Sequence, residues 1–180
     1  MPPVVELFRD LVLLRRGPQD LPYSTQLLAM LTVACVVVQA VARTIPVPIG
    51  LGESFLSTLI ETLLVLAALR LALRARDLGS RFVQAASGLV GCNLIFTLIN
   101  IPVALAFGKF PIEAGRLVPE QVTPTQMMLF PLIFALGIWQ LVAIANVLRH
   151  SLNLSLAGGI AVIFGWIALL SLLLSLIGGT

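Results

Sequence analysis

Hydrophobic side chains make up 59% of this 180-residue chain and charged ones 11%, whereas a soluble domain carries about 25% charged residues. The mean hydropathy of +1.07 agrees, so a soluble globular fold is excluded. A net charge of +3 and a pI near 9.5 would suggest nucleic acid in a soluble protein. Here the basic residues flank apolar runs, so the expected partners are membrane lipids with anionic head groups, and not nucleic acid.

The first element in chain order is amphipathic. Val4, Leu7, Phe8, Leu11 and Leu14 recur at helical spacing opposite Glu6, Arg9 and Asp10, which predicts a short helix over about 4–16. It either lies in the interface with its apolar face in the acyl boundary or packs on a bundle as a core-facing helix. It is not expected to be a signal peptide, because Glu6 and Asp10 interrupt it and no small-x-small cleavage site follows.

Gly17-Pro18-Gln19-Asp20-Leu21-Pro22 breaks that helix. Five apolar stretches follow, over about 24–42, 54–73, 82–107, 125–148 and 154–177. At 1.5 Å per residue, about 20 residues cross ~30 Å of hydrocarbon, and each stretch meets or nearly meets that length. The expected fold is an all-α membrane protein, a five-transmembrane-helix bundle preceded by the short amphipathic N-terminal helix. Residues 1–180 form one polytopic domain. Ser24 and Ser54 are placed to cap the first two spans. Arg149-His150-Ser151 is read as the turn into the fifth.

Basic residues set the topology. With the N-terminus inside, the inner segments hold Arg9, Arg15, Arg16, Arg70, Arg74, Arg76, Arg81 and Arg149, and the outer ones only Arg43, Lys109 and Arg116. Lys and Arg concentrate in short cytoplasmic loops, so a cytoplasmic N-terminus and an outside C-terminus are expected, in a bacterial inner membrane. The inner arginines Arg70, Arg74, Arg76 and Arg81 are candidate contacts for anionic lipid head groups. Snorkelling and the topology signal alone would also account for them.

Glu61 is the one acidic residue inside a span. A charged group at mid-helix costs about 2.5–3.5 kcal/mol on insertion scales, so such a residue calls for a partner or a function. It falls roughly 10 Å from the outer end of the second span, and Asn100 falls at nearly the same depth in the third. Pro102 and Pro131 lie close to that level and free the carbonyls of Leu98 and Met127. Glu61 and Asn100 therefore form a candidate intramembrane polar site. Either Glu61 is protonated and bonds Asn100 or a freed carbonyl as interhelical glue, or it serves a ligand, ion or proton. Asn93 and Gln140 match in depth and predict an amide–amide bond, while Gln84 and Asn146 fall near the inner interface, where water can serve them.

Small residues at four-residue spacing, Ala157, Ala161 and Gly165 and also Ser87 and Gly91, predict close helix contacts. Cys35 and Cys92 differ in depth by roughly 12 Å, too far for a disulfide. His150 has no second His or Cys at ligand spacing, so no metal is expected. No Gly-x-Ser-x-Gly, His-Glu-x-x-His or P-loop pattern occurs, so neither enzymatic activity nor a cofactor is expected.

Leu14-Arg15-Arg16-Gly17-Pro18-Gln19-Asp20-Leu21-Pro22-Tyr23-Ser24, ahead of five spans, resembles the lead-in of small bacterial members of the Yip family of membrane proteins. The resemblance implies five spans, a cytoplasmic N-terminus, short loops and no catalytic motif. The longer N-terminal region and aromatic-glycine motifs of the eukaryotic members are missing, so their trafficking role and functional residues do not carry over. Three functions are weighed in order: a non-enzymatic scaffold or accessory subunit recruiting membrane partners, then a small transporter or channel using Glu61 in an outward-facing polar cavity, and last an intramembrane lipid enzyme, which would need several clustered acid, base or metal groups.

Overall fold

A computed structural model describes residues 4–109, 112–113, 116–117 and 122–177, with side chains of the last helix described as far as Ala168. It contains six α-helices: α1 (Val4–Val12), α2 (Thr25–Arg43), α3 (Leu51–Arg74), α4 (Phe82–Phe107), α5 (Pro124–Leu152) and α6 (Leu156–Ile177). Pro18–Asp20 and Gly79–Arg81 are single 3-10 turns. Between α4 and α5, β1 (Ile112–Glu113) pairs antiparallel with β2 (Arg116–Leu117), a two-residue ladder. Among the described residues four helices, α2 to α5, are long and apolar enough to cross a membrane, so this is a helical integral membrane protein. In α6 the apolar stretch with described side chains is Leu156–Ala168.

Helix ends follow local chemistry. The Ser24 hydroxyl accepts the Leu27 N–H at 3.1 Å and caps α2 as expected. Thr123 and Gln126 form a capping box at α5, with Pro124 in the first turn. Gln126 then reaches out, its amide nitrogen donating to the carbonyls of Phe107 (3.1 Å) and Lys109 (3.0 Å), and so ties the end of α4 to the start of α5. Gly108, at φ 73°, lets the chain leave α4 in a conformation open to glycine.

Three boundaries differ from expectation. The first helix ends at Val12, because Leu14 turns left-handed (φ 63°) and the Arg15 N–H reaches back to the Asp10 carbonyl at 2.8 Å. Ser54 does not cap α3, which starts at Leu51 behind Gly50. Ser54 is instead buried, and its hydroxyl donates to the Ala40 carbonyl of α2 at 2.8 Å. Arg149-His150-Ser151 is helical, and the chain turns two residues later at Asn153, a left-handed residue at φ 53°.

Of the two arrangements open for α1, packing on the bundle is the one adopted. Leu7, Phe8, Leu11 and Val12 are buried, and the ring of Phe8 lies over Gly91 of α4. The lead-in behind α1 is held by later helices. Trp139 Nε1 donates to the Val12 carbonyl (3.0 Å), Asn146 Nδ2 to that of Arg16 (3.4 Å), and Gln84 Nε2 to those of Gln19 (3.1 Å) and Leu21 (2.7 Å). Gln84 and Asn146, expected to rest on water, thus satisfy backbone groups that would otherwise be costly.

The core forms where α4 meets α1, α2 and α5. Ala85, Ala86, Ser87, Gly88 and Gly91 keep that half of α4 thin, so the predicted Ser87/Gly91 contact holds. Phe96 is fully buried and meets Trp139 edge-on, with centroids 5.2 Å apart. The predicted contact along Ala157, Ala161 and Gly165 is overturned. Ala157 and Ala161 are exposed, and a Cβ on Gly165 would meet nothing within 4 Å. Gly159 makes the close contact, since a Cβ there would lie 2.5 Å from the Ala145 carbonyl oxygen of α5. Glycine allows a closer backbone approach than alanine, so α6 turns its glycine to α5 rather than its alanine row.

Helix lengths set the membrane frame. The 19 residues of α2 rise ~28 Å, about the hydrocarbon thickness, whereas α4 with 26 and α5 with 29 rise ~39 and ~43 Å. The lead-in to α2 touches α4 at Gly88, where a Cβ would lie 3.5 Å from Leu21. The first turns of α4 therefore project beyond the start of α2. That projecting end, with the α3–α4 and α5–α6 connections, carries most of the arginines and is called the basic face below.

Candidate functional site

At the end opposite the basic face, the four long helices enclose a cavity of ≈ 400 Å³. Its walls carry Cys35, Gln39 and Arg43 from α2, Glu61 and Thr62 from α3, Asn93, Thr97 and Asn100 from α4, and Gln140 from α5. Val65, Leu66, Leu89, Val90 and Ile101 add apolar lining, and the space stays open to the outside. Glu61 and Asn100, paired by depth in the sequence, both line this space.

The partner of Glu61 is neither Asn100 nor a carbonyl freed by proline. Arg43 Nη2 donates to both carboxylate oxygens, at 3.0 and 2.8 Å, and Nη1 reaches the Thr58 hydroxyl at 3.4 Å. Asn100 instead donates to the Phe96 carbonyl one turn back on its own helix, at 2.8 Å. Because α3 begins earlier than expected, Glu61 lies ten residues, roughly 15 Å, along it. Arginine at the end of a span ordinarily snorkels toward water. Arg43, the last residue of α2, turns its guanidinium into the bundle to meet Glu61.

A single guanidinium nitrogen thus spans both carboxylate oxygens and ties the end of α2 to α3. Both side chains remain near half exposed, at 42% and 46%, so the pair sits in a space that water can fill. Deeper in the cavity, Gln140 Nε2 donates to Asn93 Oδ1 at 3.1 Å, the amide bond expected from matching depth. Thr62 and Thr97 return their hydroxyls to carbonyls of their own helices, both at 2.8 Å. Pro102 lies within α4 and Pro131 within α5, toward the same end of the bundle. Among the described residues no cluster of His, Cys, Asp or Glu could hold a metal ion. The cavity brings one cation, one anion and several amides to the wall of one space.

The arginines proposed for lipid contact lie on the basic face in differing roles. The Arg70 guanidinium stands over the Phe82 ring at 5.5 Å. Arg76 Nη1 donates to the Leu152 carbonyl at 2.8 Å, and Arg81 Nη1 to Asn153 Oδ1 at 3.1 Å, so both tie the α3–α4 turn to the α5–α6 turn. Arg74 makes no such tie to any described residue. Sequence reasoning missed Arg43 as a site residue. It was read as a loop charge, and the only available hint was that an arginine follows the first span while the next span carries an acid. No protein-family model, curated protein or solved structure matches the chain.

Proposed function

We propose that this is a solute-binding membrane protein, a small transporter or channel, that takes a small polar molecule into the cavity around Arg43 and Glu61. The observation carrying this reading is the ion pair turned inward into a space lined by amides. Ionisable groups at membrane depth are costly, and they mark substrate or ion pathways. A zwitterionic solute matches the lining best, since its carboxylate can take Arg43 while its ammonium takes Glu61, exchanging one ion pair for two. The scaffold reading has no comparable residue behind it. The exposed apolar residues of α2, α3, α5 and α6, such as Val33, Leu63, Phe134 and Phe164, are what contact with lipid already requires.

A panel of free amino acids tested by thermal shift on the purified protein examines the proposal. A ligand present at 100 times its Kd stabilises the folded state by about 2.7 kcal/mol. At least one zwitterion should raise the Tm of the parent but not that of an Arg43→Gln/Glu61→Gln variant, which keeps hydrogen-bonding groups at both positions. If no zwitterion moves the parent, and the variant supports the same solute flux in liposomes, the reading fails.

We further propose a Yip-like five-span architecture in a bacterial inner membrane, with α6 as the fifth span and the basic face cytoplasmic. The skew of arginines toward one face supports this orientation. Reporter fusions at Gly79, Glu113 and Thr180 should then read inside, outside and outside. An inside signal at Thr180 would mean that α6 does not cross.

A further inference from the structure

The basic face holds a second cavity, of ≈ 490 Å³, walled by the Pro18-Gln19 turn, the start of α4 and the α5–α6 connection. Arg81, Gln84, Arg149, His150 and Asn153 line it, and none of its lining residues is acidic. Its walls are fixed from within the protein. Gln84 is held by the Gln19 and Leu21 carbonyls, and Asn153 by Arg81. Arg81 spends one N–H on that bond and keeps the other donors of its fork. The Arg149 side chain, on a residue only partly exposed, makes no hydrogen bond or ion pair with any described residue. His150 Nδ1 lies 2.8 Å from the Asn146 carbonyl oxygen, which can only accept, so Nδ1 carries the proton.

Depth agrees with charge. Arg149 and His150 belong to the last turn of α5, and that helix exceeds the hydrocarbon thickness by ~13 Å. A helix of that length reaches the head-group layer, and the end that carries Arg149 and His150 is its basic one. A partly buried guanidinium with no partner is expensive, and an anion supplied from outside removes that cost.

From this geometry we infer that the cavity binds a phosphate group, held between the forks of Arg81 and Arg149, with the His150 ring as part of the wall. Two guanidinium forks converging on one space match the oxygens of a phosphate. The cavity is roomy enough for what a phosphate is attached to, such as the glycerol of an anionic lipid. The site is distinct from the Arg43–Glu61 cavity and does not depend on how that one is used.

The test uses the purified full chain in nanodiscs and in detergent. Thermal stability is compared in phosphatidylglycerol and phosphatidylcholine nanodiscs, and detergent samples are titrated with inorganic phosphate. Phosphatidylglycerol should stabilise the parent. Arg149→Gln should weaken that response by about tenfold, and Arg149→Lys, which keeps the charge but not the fork, by less. Arg74→Gln removes a charge from the same face outside the cavity and should stay within about twofold of the parent. Stabilisation by inorganic phosphate that is equally sensitive to Arg149 would support the site and identify its ligand as a soluble phosphate. An equal loss in Arg74→Gln and Arg149→Gln would reduce the effect to diffuse surface charge and overturn the proposal, as would indifference of every sample to both phosphate sources.

Discussion

Replacing Gly159 with leucine should detach α6 from α5 and lower stability by about 3 kcal/mol, the upper end of what overpacking costs. The first atom added at Gly159 would already stand 2.5 Å from the Ala145 carbonyl oxygen. That oxygen belongs to the backbone of a helix whose neighbouring side chains at Ala145, Asn146 and Val147 are buried, so it cannot swing aside as a side chain would. Relief requires the two helices to move apart. Gly165→Leu is the control, because the space around Gly165 is open, and its effect should fall within about 0.5 kcal/mol. Unfolding in mixed detergent, followed by helical signal, measures both. Equal stability of the two variants would mean that α6 packs through another face.

Phe96→Ala should cost about 3 kcal/mol, the lower end of the range for such truncations in soluble cores. The lower end applies because part of the usual cost is the loss of transfer from water, and lipid, unlike water, does not penalise an apolar ring. What remains is the hole. Phe96 is fully buried against the edge of Trp139, and the indole is also held by its bond to the Val12 carbonyl, so it cannot easily collapse into the space. Phe96→Leu should recover more than half of the loss. A Phe96→Ala protein as stable as the parent would show that the surrounding helices close the gap freely.

The four long helices, α2 to α5, were legible because hydrophobicity along the chain is a one-dimensional signal, and lipid demands a minimum run of it. Residue depth was legible for the same reason. It correctly matched Asn93 with Gln140 and brought Glu61 and Asn100 to one cavity. Rotation about the helix axis was not legible. Gly159 stands two positions from Ala161, roughly 160° round the helix, so the regular spacing of alanines pointed α6 the wrong way. The Arg43–Glu61 pair was hidden differently. Arg43 carries a long side chain at the end of a span, and whether such a chain turns out to water or in to an acid depends on the neighbouring helix, not on its own position. Likewise nothing local in Arg149-His150-Ser151 announces that α5 continues, since the left-handed turn falls on Asn153, beyond the charged residues.

The hydrogen bonds that hold the lead-in have an order in time. The donors from Trp139 and Asn146 follow their acceptors, Val12 and Arg16, by 127 and 130 positions in the chain. At synthesis rates of about 5–20 residues per second, α1 leaves the ribosome roughly 6–25 s before the indole that will hold it exists. Until then its apolar stripe has no α4 or α5 to cover it, and the nearest place for such a helix is the surface of the membrane itself. The two arrangements open for α1, lying on the bilayer and packing in the bundle, are then successive stations of one segment. A segment made well before α5 is held in place by side chains that α5 brings.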